Sequence, residues 1–233
     1  MIVLLNKANM SESTPRSTRR FFVLSIVLIL LDQITKIWVK GFTLFGIHHD
    51  GMFLGESHQL LGEAVRLTFV ENPGMAFGVS FGWGKVFLTL FSLIAGCGLA
   101  WYLSKLRHHS TWVQLGISLL LAGAIGNFID RAFYGVLYGE GALFYGLVVD
   151  FIQVDIPDVN WFGQVYTHWP VFNVADSCVS CGMVLLFILN KKIPMLNQLE
   201  PVYVPPEQDS PHQAETMPTA SGETEQSPTG QSS

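Results

Sequence analysis

Four segments of the chain are apolar over lengths that cross a bilayer. A helix needs about 20 predominantly apolar residues to span about 30 Å of hydrocarbon. The segments lie approximately at 21–40, 85–104, 112–130 and 171–190. The pattern therefore predicts an all-α polytopic membrane protein with four transmembrane helices. The first segment also resembles a signal peptide, but DQITK follows it in place of a small-x-small cleavage site, which favours an uncleaved span.

Two connections between these segments have the pattern of β-strands. Apolar and polar residues alternate over 65–70, and a turn sequence, Asn-Pro-Gly, follows at 72–74. The run LVVDFIQVDI at 147–156 is rich in β-branched residues and is predicted to form a strand or an interfacial segment. We expect a small extracytoplasmic β platform between spans one and two.

Composition separates a membrane domain from two polar ends. Only 13% of the residues are charged and 49% are hydrophobic, whereas soluble domains carry about 25% charged residues. The net charge of −5 arises in the tail, because six acidic residues and no Lys or Arg follow Lys192. We predict a flexible cytoplasmic N-terminus at 1–18, a four-span domain at 19–192 and a disordered acidic cytoplasmic tail at 193–233.

The distribution of basic residues predicts the orientation. Lys and Arg are more frequent in the cytoplasmic connections of membrane proteins. One side of the predicted spans has eight: Lys7, Arg16, Arg19, Arg20, Lys105, Arg107, Lys191 and Lys192. The other side has four: Lys40, Arg66, Lys85 and Arg131. Both termini are therefore predicted to be cytoplasmic and the two long connections extracytoplasmic.

Polar residues of the spans gather at one depth, near the outer interface. They are Asp32 and Lys36 in the first span, Asn127, Asp130 and Arg131 in the third, and Asn173 and Asp176 in the fourth. Asp150 lies in the outer connection that precedes the fourth span. Ionisable residues in a membrane are costly and are functional candidates by default. If Asp150 and Asp176 converge, two carboxyl groups that share a proton suit acid–base peptide hydrolysis.

Structural explanations exist for individual members of this group. Asp32 and Lys36 are four residues apart and suit an ion pair at a helix end. Asn127 and Asn173 suit hydrogen bonds between helices. Asp130 is expected to be held ionised by the adjacent Arg131. Three acids, two amides and two bases at one depth nevertheless favour a functional site.

Other catalytic chemistries have weaker support. The sequence has no HExxH or similar metal spacing, and the adjacent His48 and His49 cannot both face one metal ion from a regular element, so no metal or other cofactor is expected. Ser177 and Ser180 have no Lys or His base at their depth on the same helix. Cys178 and Cys181 form a CxxC on an apolar helix, where packing is the simpler explanation.

Five sequence blocks occur in an order that indicates a family. They are DQITK at 32–36, ENPGMAFG at 71–78, GAIGNFIDR at 123–131, VVDF at 148–151 and FNVADS at 172–177. With these blocks, on four spans over about 20–192, the chain resembles the lipoprotein signal peptidases, also called signal peptidase II. The resemblance implies an aspartyl endopeptidase that removes the signal peptide from diacylglyceryl-modified bacterial prolipoproteins, cleaving before the lipidated Cys.

The resemblance also implies roles for particular residues. Asp150 and Asp176 match the catalytic dyad of the family. The matching supporting or substrate-binding residues are Asp32, Lys36, Asn72, Gly74, Asn127, Asp130, Arg131, Asn173 and Ala175. Met75 and Phe77 are candidates for lining the substrate access path. Expected partners are the prolipoprotein, membrane lipid and globomycin-type inhibitors, with no nucleic acid. The expected location is the bacterial cytoplasmic (inner) membrane, as a monomer with its site near the outer leaflet.

Two other classes of function fit parts of the sequence. A small ion-coupled carrier would use Asp32, Asp130 and Asp176 as a proton relay, but it also needs polar residues in the cytoplasmic halves of the spans, which are almost entirely apolar. An assembly factor would bind a partner through its outer loops, which leaves the intramembrane acids unexplained.

Overall fold

The computed structural model describes residues 18–74, 82–161 and 164–199. Its helices are α1 (Arg19–Lys40), α2 (Gly82–Lys105), α3 (Thr111–Ile129), α4 (Gly135–Leu137) and α5 (Val174–Ile188), with a π-helical turn, Asp130–Tyr134, between α3 and α4. Its strands are β1 (Phe42–Leu44), β2 (Ile47–His49), β3 (Ser57–Leu61), β4 (Val65–Asn72), β5 (Val148–Trp161) and β6 (Gln164–His168). Most of the predicted terminal regions and Met75 and Phe77 lie outside the described residues.

Three of the four predicted spans form helices that are long and apolar enough to cross a membrane. Among the described residues these are Arg19–Lys40, Gly84–His108 and Thr111–Leu137. The fourth apolar segment forms α5, which has 15 residues and is therefore about 22 Å long. It is shorter than the predicted 171–190 because Phe172 is held in an extended conformation by backbone hydrogen bonds with Ile152 of β5.

The β platform forms, but it draws on two connections rather than one. β1 and β2 make a two-stranded antiparallel sheet, and a second antiparallel sheet has the order β3-β4-β5-β6. β5 and β6 follow the third long helix, so the expectation of a platform built only between spans one and two was too narrow. The β-branched run around Asp150 forms β5, which confirms the strand interpretation and pairs this run with β4.

A buried apolar cluster joins the larger sheet to the helices. It contains Val39, Phe69, Tyr134, Val149 and Phe151. Val149 and Phe151 flank Asp150 along β5, and both side chains are buried. Burial of these apolar neighbours fixes the strand against α1 and the π-helical turn, and so fixes the position from which the Asp150 carboxylate projects.

Glycines allow α3 and α5 to approach closely. A Cβ added at Gly123 would collide with the backbone oxygen of Ala175 and with the Val179 side chain. A Cβ at Gly126 would lie 2.7 Å from Asp32 Oδ2 and 3.1 Å from the Ala175 Cβ. Small residues at helix contacts of this kind let backbones pack without intervening side chains. The packing brings the first turn of α5 against α3.

We expect Gly123→Ala to destabilise the protein, because the new methyl group meets a backbone atom that cannot move alone. Overpacking of this kind costs about 1–3 kcal/mol. Gly98→Ala on α2 is the matched control, since a Cβ there meets no atom within 4 Å. Thermal unfolding in detergent should show a lower midpoint for Gly123→Ala only. Equal midpoints for the two variants would contradict the close packing.

Candidate active site

Asp150 lies near the start of β5 and its carboxylate is held by two asparagines. Asn173 Nδ2 donates to Asp150 Oδ1 at 2.6 Å. Asn72 Nδ2, from the neighbouring strand β4, donates to Asp150 Oδ2 at 3.1 Å. Asn72 Oδ1 in turn accepts from the backbone N–H of Gly74 at 2.9 Å, which fixes the Asn72 amide. Both oxygens of the buried carboxylate therefore have donors from different elements.

Asp176 lies in the first turn of α5 and takes part in the cap of that helix. Asn173 Oδ1 accepts from the Asp176 backbone N–H at 2.9 Å, and Asp176 Oδ2 accepts from the Asn173 N–H at 3.4 Å. This reciprocal arrangement is a capping box. The remaining carboxylate oxygen, Oδ1, accepts from Asn127 Nδ2 at 2.8 Å. The cap fixes Asp176 within α5, and the bond from Asn127 links it to α3.

Two amide side chains connect the two carboxylates. Asn173 Nδ2, which donates to Asp150, also lies 3.3 Å from Asn127 Oδ1, and Asn127 donates to Asp176. Burial raises the pKa of Asp150 to about 7, and the nearby charge of Asp176 adds to the rise. Hydrogen bonds from Asn72 and Asn173 oppose it. Asp150 and Asp176 are therefore joined through two amide side chains, and the pKa of Asp150 is raised to near neutral pH.

A buried ionic cluster lies beside the amide pair. The ammonium of Lys36 is 2.8 Å from Asp32 Oδ2 and 2.8 Å from Asp130 Oδ2, and it donates to Asn127 Oδ1 at 3.1 Å. Lys36, Asp32 and Asp130 are all almost completely buried. The cluster joins α1 to the end of α3 and holds the same Asn127 that binds Asp176.

The carboxylates of the cluster also bind the backbone next to each dyad candidate. Asp32 Oδ1 accepts from the N–H of Ala175 at 2.8 Å, one residue before Asp176. Asp130 Oδ2 accepts from the N–H of Val149 at 3.2 Å, one residue before Asp150. Asp32 thus caps α5 from a different helix, where a carboxylate is favoured by the helix dipole.

The expected pairing of Asp130 with Arg131 was wrong. Asp130 binds Lys36, whereas Arg131 Nη1 donates to the backbone oxygen of Asn127 at 3.2 Å and lies 3.4 Å from Ser92 Oγ. Consecutive residues of a helical turn project in different directions, so Asp130 faces α1 and Arg131 faces α2. Among the described residues, the buried Nε atom of Arg131 has no hydrogen-bond partner, and it lies 3.9 Å from where a Cβ on Gly74 would be.

Gln33 and Tyr134 belong to the site but were missed from the sequence. Gln33 Nε2 donates to Asp130 Oδ1 at 2.9 Å and lies 3.1 Å from Asp32 Oδ2. The buried Tyr134 donates its hydroxyl proton to Gln33 Oε1 at 3.1 Å. An amide beside Asp32 in an otherwise apolar span was a usable signal for Gln33. Nothing in the sequence distinguished Tyr134 from other interfacial aromatic residues.

The structure thus brings together all the predicted dyad and supporting residues, whereas Met75 and Phe77 lie outside the described residues. Asp150, Asp176, Asn72, Asn127 and Asn173 form one hydrogen-bonded group. The others adjoin it: Asp32, Lys36, Asp130, Arg131, Gly74 and Ala175. Within the described ranges, no group of three or more His, Cys, Asp or Glu side chains is arranged to hold a metal ion. The geometry suits proton transfer between two carboxyl groups.

Comparison with known proteins agrees with this geometry. The family described as signal peptidase (SPase) II matches residues 24–191. A lipoprotein signal peptidase of Porphyromonas gingivalis is 36% identical over 191 residues, covering 71% of this chain and 80% of the relative. Those of Amoebophilus asiaticus and Chlorobaculum tepidum are also 36% identical, each covering 74% of this chain and, respectively, 78% and 94% of the relative.

Two solved structures have the same fold. Both are described as bacterial membrane enzymes determined by the in meso method, at 1.9 Å and 2.3 Å resolution. The first has a TM-score of 0.57 and 28% identity, covering 77% of this chain and 97% of that structure. The second has a TM-score of 0.55 and 27% identity, covering 76% and 91%. With the family match over more than half its length, the chain belongs to the signal peptidase II family and is a multi-pass membrane protein.

Proposed function

We propose that the protein removes the signal peptides of diacylglyceryl-modified prolipoproteins by cleaving before the lipidated Cys, with Asp150 and Asp176 as the catalytic dyad. One observation carries the assignment: two carboxylates from different elements are joined through Asn127 and Asn173. The elevated pKa of Asp150 supports a dyad that holds one proton between its two members. Carboxyl groups paired in this way can act as general base and general acid in one reaction.

The ionised member of the dyad accepts a proton from a water molecule, whose oxygen attacks the carbonyl carbon before the lipidated Cys. The protonated member donates its proton to the carbonyl oxygen, which gives a tetrahedral intermediate. The intermediate collapses when the carbonyl re-forms and the C–N bond breaks. The proton taken from water passes to the leaving amine, and the proton on the former carbonyl oxygen returns to the aspartate that donated it, so the dyad ends the cycle with one proton, as it began.

Neighbouring residues position this dyad and offer donors to the substrate. Asn127 and Asn173 set the orientation of the carboxylates, and the Lys36 cluster holds the backbone before each Asp. The Nε of Arg131 has no partner within the described ranges and lies close to Gly74, where it is placed to donate to a backbone carbonyl of the bound peptide. A buried donor without a partner is costly, and such a substrate bond would satisfy it.

The placement in the membrane completes the proposal. We infer a peptidase domain at 19–192 in which α5 serves as the fourth span, with both termini cytoplasmic and the β platform outside. The site then lies near the outer leaflet, where the acyl chains of the substrate reside. The protein acts as a monomer, and globomycin-type cyclic peptides occupy the same site.

A carrier function has less support than hydrolysis. The buried residues at the end of the helices far from the site form an apolar cluster: Phe21, Leu103, Leu106, Val113, Ile117, Leu121 and Leu199. A proton path would have to cross this end, where the buried polar side chains among the described residues are Ser25, Gln114 and Ser118, none of which is ionisable. Hydrolysis at one depth needs no such path.

Replacement of either dyad residue by Asn should abolish cleavage of a diacylglyceryl-modified prolipoprotein in vitro. Acid–base groups contribute about 10²–10⁴-fold to rate, and the amide can neither accept nor supply the proton. Asp150→Asn and Asp176→Asn should therefore lose at least this factor while remaining folded. Addition of a chelator should not affect the wild type.

Asp155→Asn is the matched control for this experiment. Asp155 is on the same strand as Asp150, but it binds Arg66 and Gln153 at the surface, away from the dyad. This variant should cleave at close to the wild-type rate. Normal cleavage by a folded Asp150→Asn variant would show that the dyad assignment is wrong.

The cleavage rate should fall as pH rises above about 7. The pKa of Asp150 is raised to about 7, so above this pH the dyad loses its shared proton and holds two negative charges. The hydrogen bond from Asn72 lowers this pKa, so Asn72→Ala should raise it and move the alkaline limb of the kcat/KM profile to higher pH.

Gln153→Ala, on the same strand and without contact to Asp150, provides the comparison for the pH profile. Its alkaline limb should coincide with that of the wild type. A limb that moves to lower pH in Asn72→Ala would contradict the assignment of this limb to Asp150.

A further inference from the structure

The β1–β2 hairpin presents an unusual residue at its turn. Phe45 and Gly46 form the two-residue turn, and both have positive φ, 49° and 81°. Asn-Gly is the preferred pair there, because a bulky side chain is strained in this conformation. Phe45 is nevertheless 95% exposed, and its neighbours Leu44 and Ile47 are 56% and 65% exposed. The strain is not offset by packing within the described chain, which points to a contact outside it.

The hairpin is fixed to the end of α1. Its two ends meet at Gly41 and Gly51, where a Cβ on Gly41 would lie 2.6 Å from the Asp50 backbone oxygen. The His49 ring packs against Trp38 of α1 in a tilted arrangement, with 4.4 Å between the ring centroids, and His49 Nε2 lies 2.9 Å from the Trp38 backbone oxygen. The direction of the hairpin relative to α1 is therefore defined.

An open groove of about 780 Å³ lies between the hairpin, α1 and the segment that ends in α4. Its apolar lining includes Ile34, Ile37 and Trp38 from α1, Leu44 from β1, and Leu137 from α4. Ile34 precedes the end of α1 by six residues, which corresponds to about 9 Å along the helix. Because Leu44 lines the same groove, the hairpin leans back along α1 rather than extending away from its end.

The groove continues a lipid-facing surface. α1 carries a stripe of exposed apolar side chains at helical spacing: Val23, Val27, Leu30, Leu31, Ile34 and Trp38. In a multi-pass membrane protein such a stripe faces hydrocarbon, and Ile34 and Trp38 belong both to the stripe and to the groove. An acyl chain can therefore enter the groove from the bilayer without crossing water.

We propose that this groove holds an acyl chain of a phospholipid from the surrounding leaflet, and that Phe45 at the hairpin turn inserts into the same leaflet. Amphipathic helices at the interface bury their apolar faces about 5–10 Å into the headgroup–acyl boundary, and we expect a similar depth for the apolar hairpin turn. That depth matches the extent of the groove along α1. The groove lining also includes Trp38 and Tyr138, and aromatic residues of these types are enriched at the membrane interface.

The occupant is a bulk phospholipid rather than the acyl chains of the substrate. None of the side chains that bind the Asp150 and Asp176 carboxylates lines the groove. Tyr134 lines the groove and binds Gln33, which in turn binds Asp130, so these two side chains lie between the groove and the ionic cluster. The groove is therefore distinct from the group of side chains that holds the two carboxylates.

The depth of the hairpin turn can be measured with nitroxide labels in liposomes. The native Cys97, Cys178 and Cys181 are first replaced, and Phe45→Cys is compared with Glu63→Cys, which is exposed in the turn between β3 and β4. The Phe45 label should collide more with oxygen than with a water-soluble nickel chelate, and the Glu63 label the reverse. If the labels at the two turns were equally accessible to the nickel chelate, the proposal that Phe45 inserts into the leaflet would be wrong. Cleavage activity verifies that both labelled proteins are folded.

Groove occupancy can be tested with a phosphatidylcholine that carries a diazirine on its acyl chain. After photolysis and digestion, mass spectrometry should find adducts on the segment 34–49. Leu137→Trp, which fills the groove, should reduce these adducts severalfold. Ile188→Trp is the matched control on α5, since Leu137 and Ile188 are both 71% exposed. Ile188→Trp should leave the adducts on 34–49 unchanged.

Two outcomes of the photolabelling would overturn the proposal. Labelling of 34–49 that is the same in Leu137→Trp as in the wild type would mean that the lipid does not occupy the groove. Loss of the adducts on addition of a diacylglyceryl-modified peptide would mean that substrate, rather than bulk lipid, binds there. Adducts that survive this competitor and fall in Leu137→Trp support the phospholipid site.

Discussion

The buried ammonium of Lys36 between Asp32 and Asp130 is the interaction on which the rest of the site depends. Removal of charges from water is costly, and a cluster of this kind persists only when each member is paired and hydrogen-bonded. Here Asp32 also holds the first turn of α5 and Asp130 holds the start of β5. The two elements that carry Asp176 and Asp150 are therefore fixed to one charged centre, which also binds Asn127.

Much of this arrangement was visible in the sequence because membrane burial makes polar residues conspicuous. The long apolar segments predicted α1, α2 and α3, and the β-branched run at 147–156 predicted β5. The common depth of Asp32, Asn127 and Asp176 predicted that they would meet. A soluble protein with the same residues would not have given this signal, since exposed polar side chains need no explanation.

Other features depend on contacts between residues that are distant in the chain. Sequence proximity suggested Arg131 as the partner of Asp130, but the turn of the helix directs Asp130 towards Lys36 on α1. The start of α5 is set by the pairing of Phe172 with Ile152, which hydropathy does not register. β4 and β5 pair although more than 75 residues separate the partners in sequence, so this strand pairing could not be inferred from either connection alone.

The amide pair Asn127 and Asn173 has a consequence for repeated turnover. An asparagine amide offers a donor and an acceptor but does not gain or lose a proton in the physiological pH range. In the proposed mechanism the two carboxylates are therefore held by groups whose charge is constant while the proton changes place between Asp150 and Asp176. The proposed dyad would therefore keep the same amide contacts from one cleavage to the next, because neither amide changes its charge or its protons during the reaction.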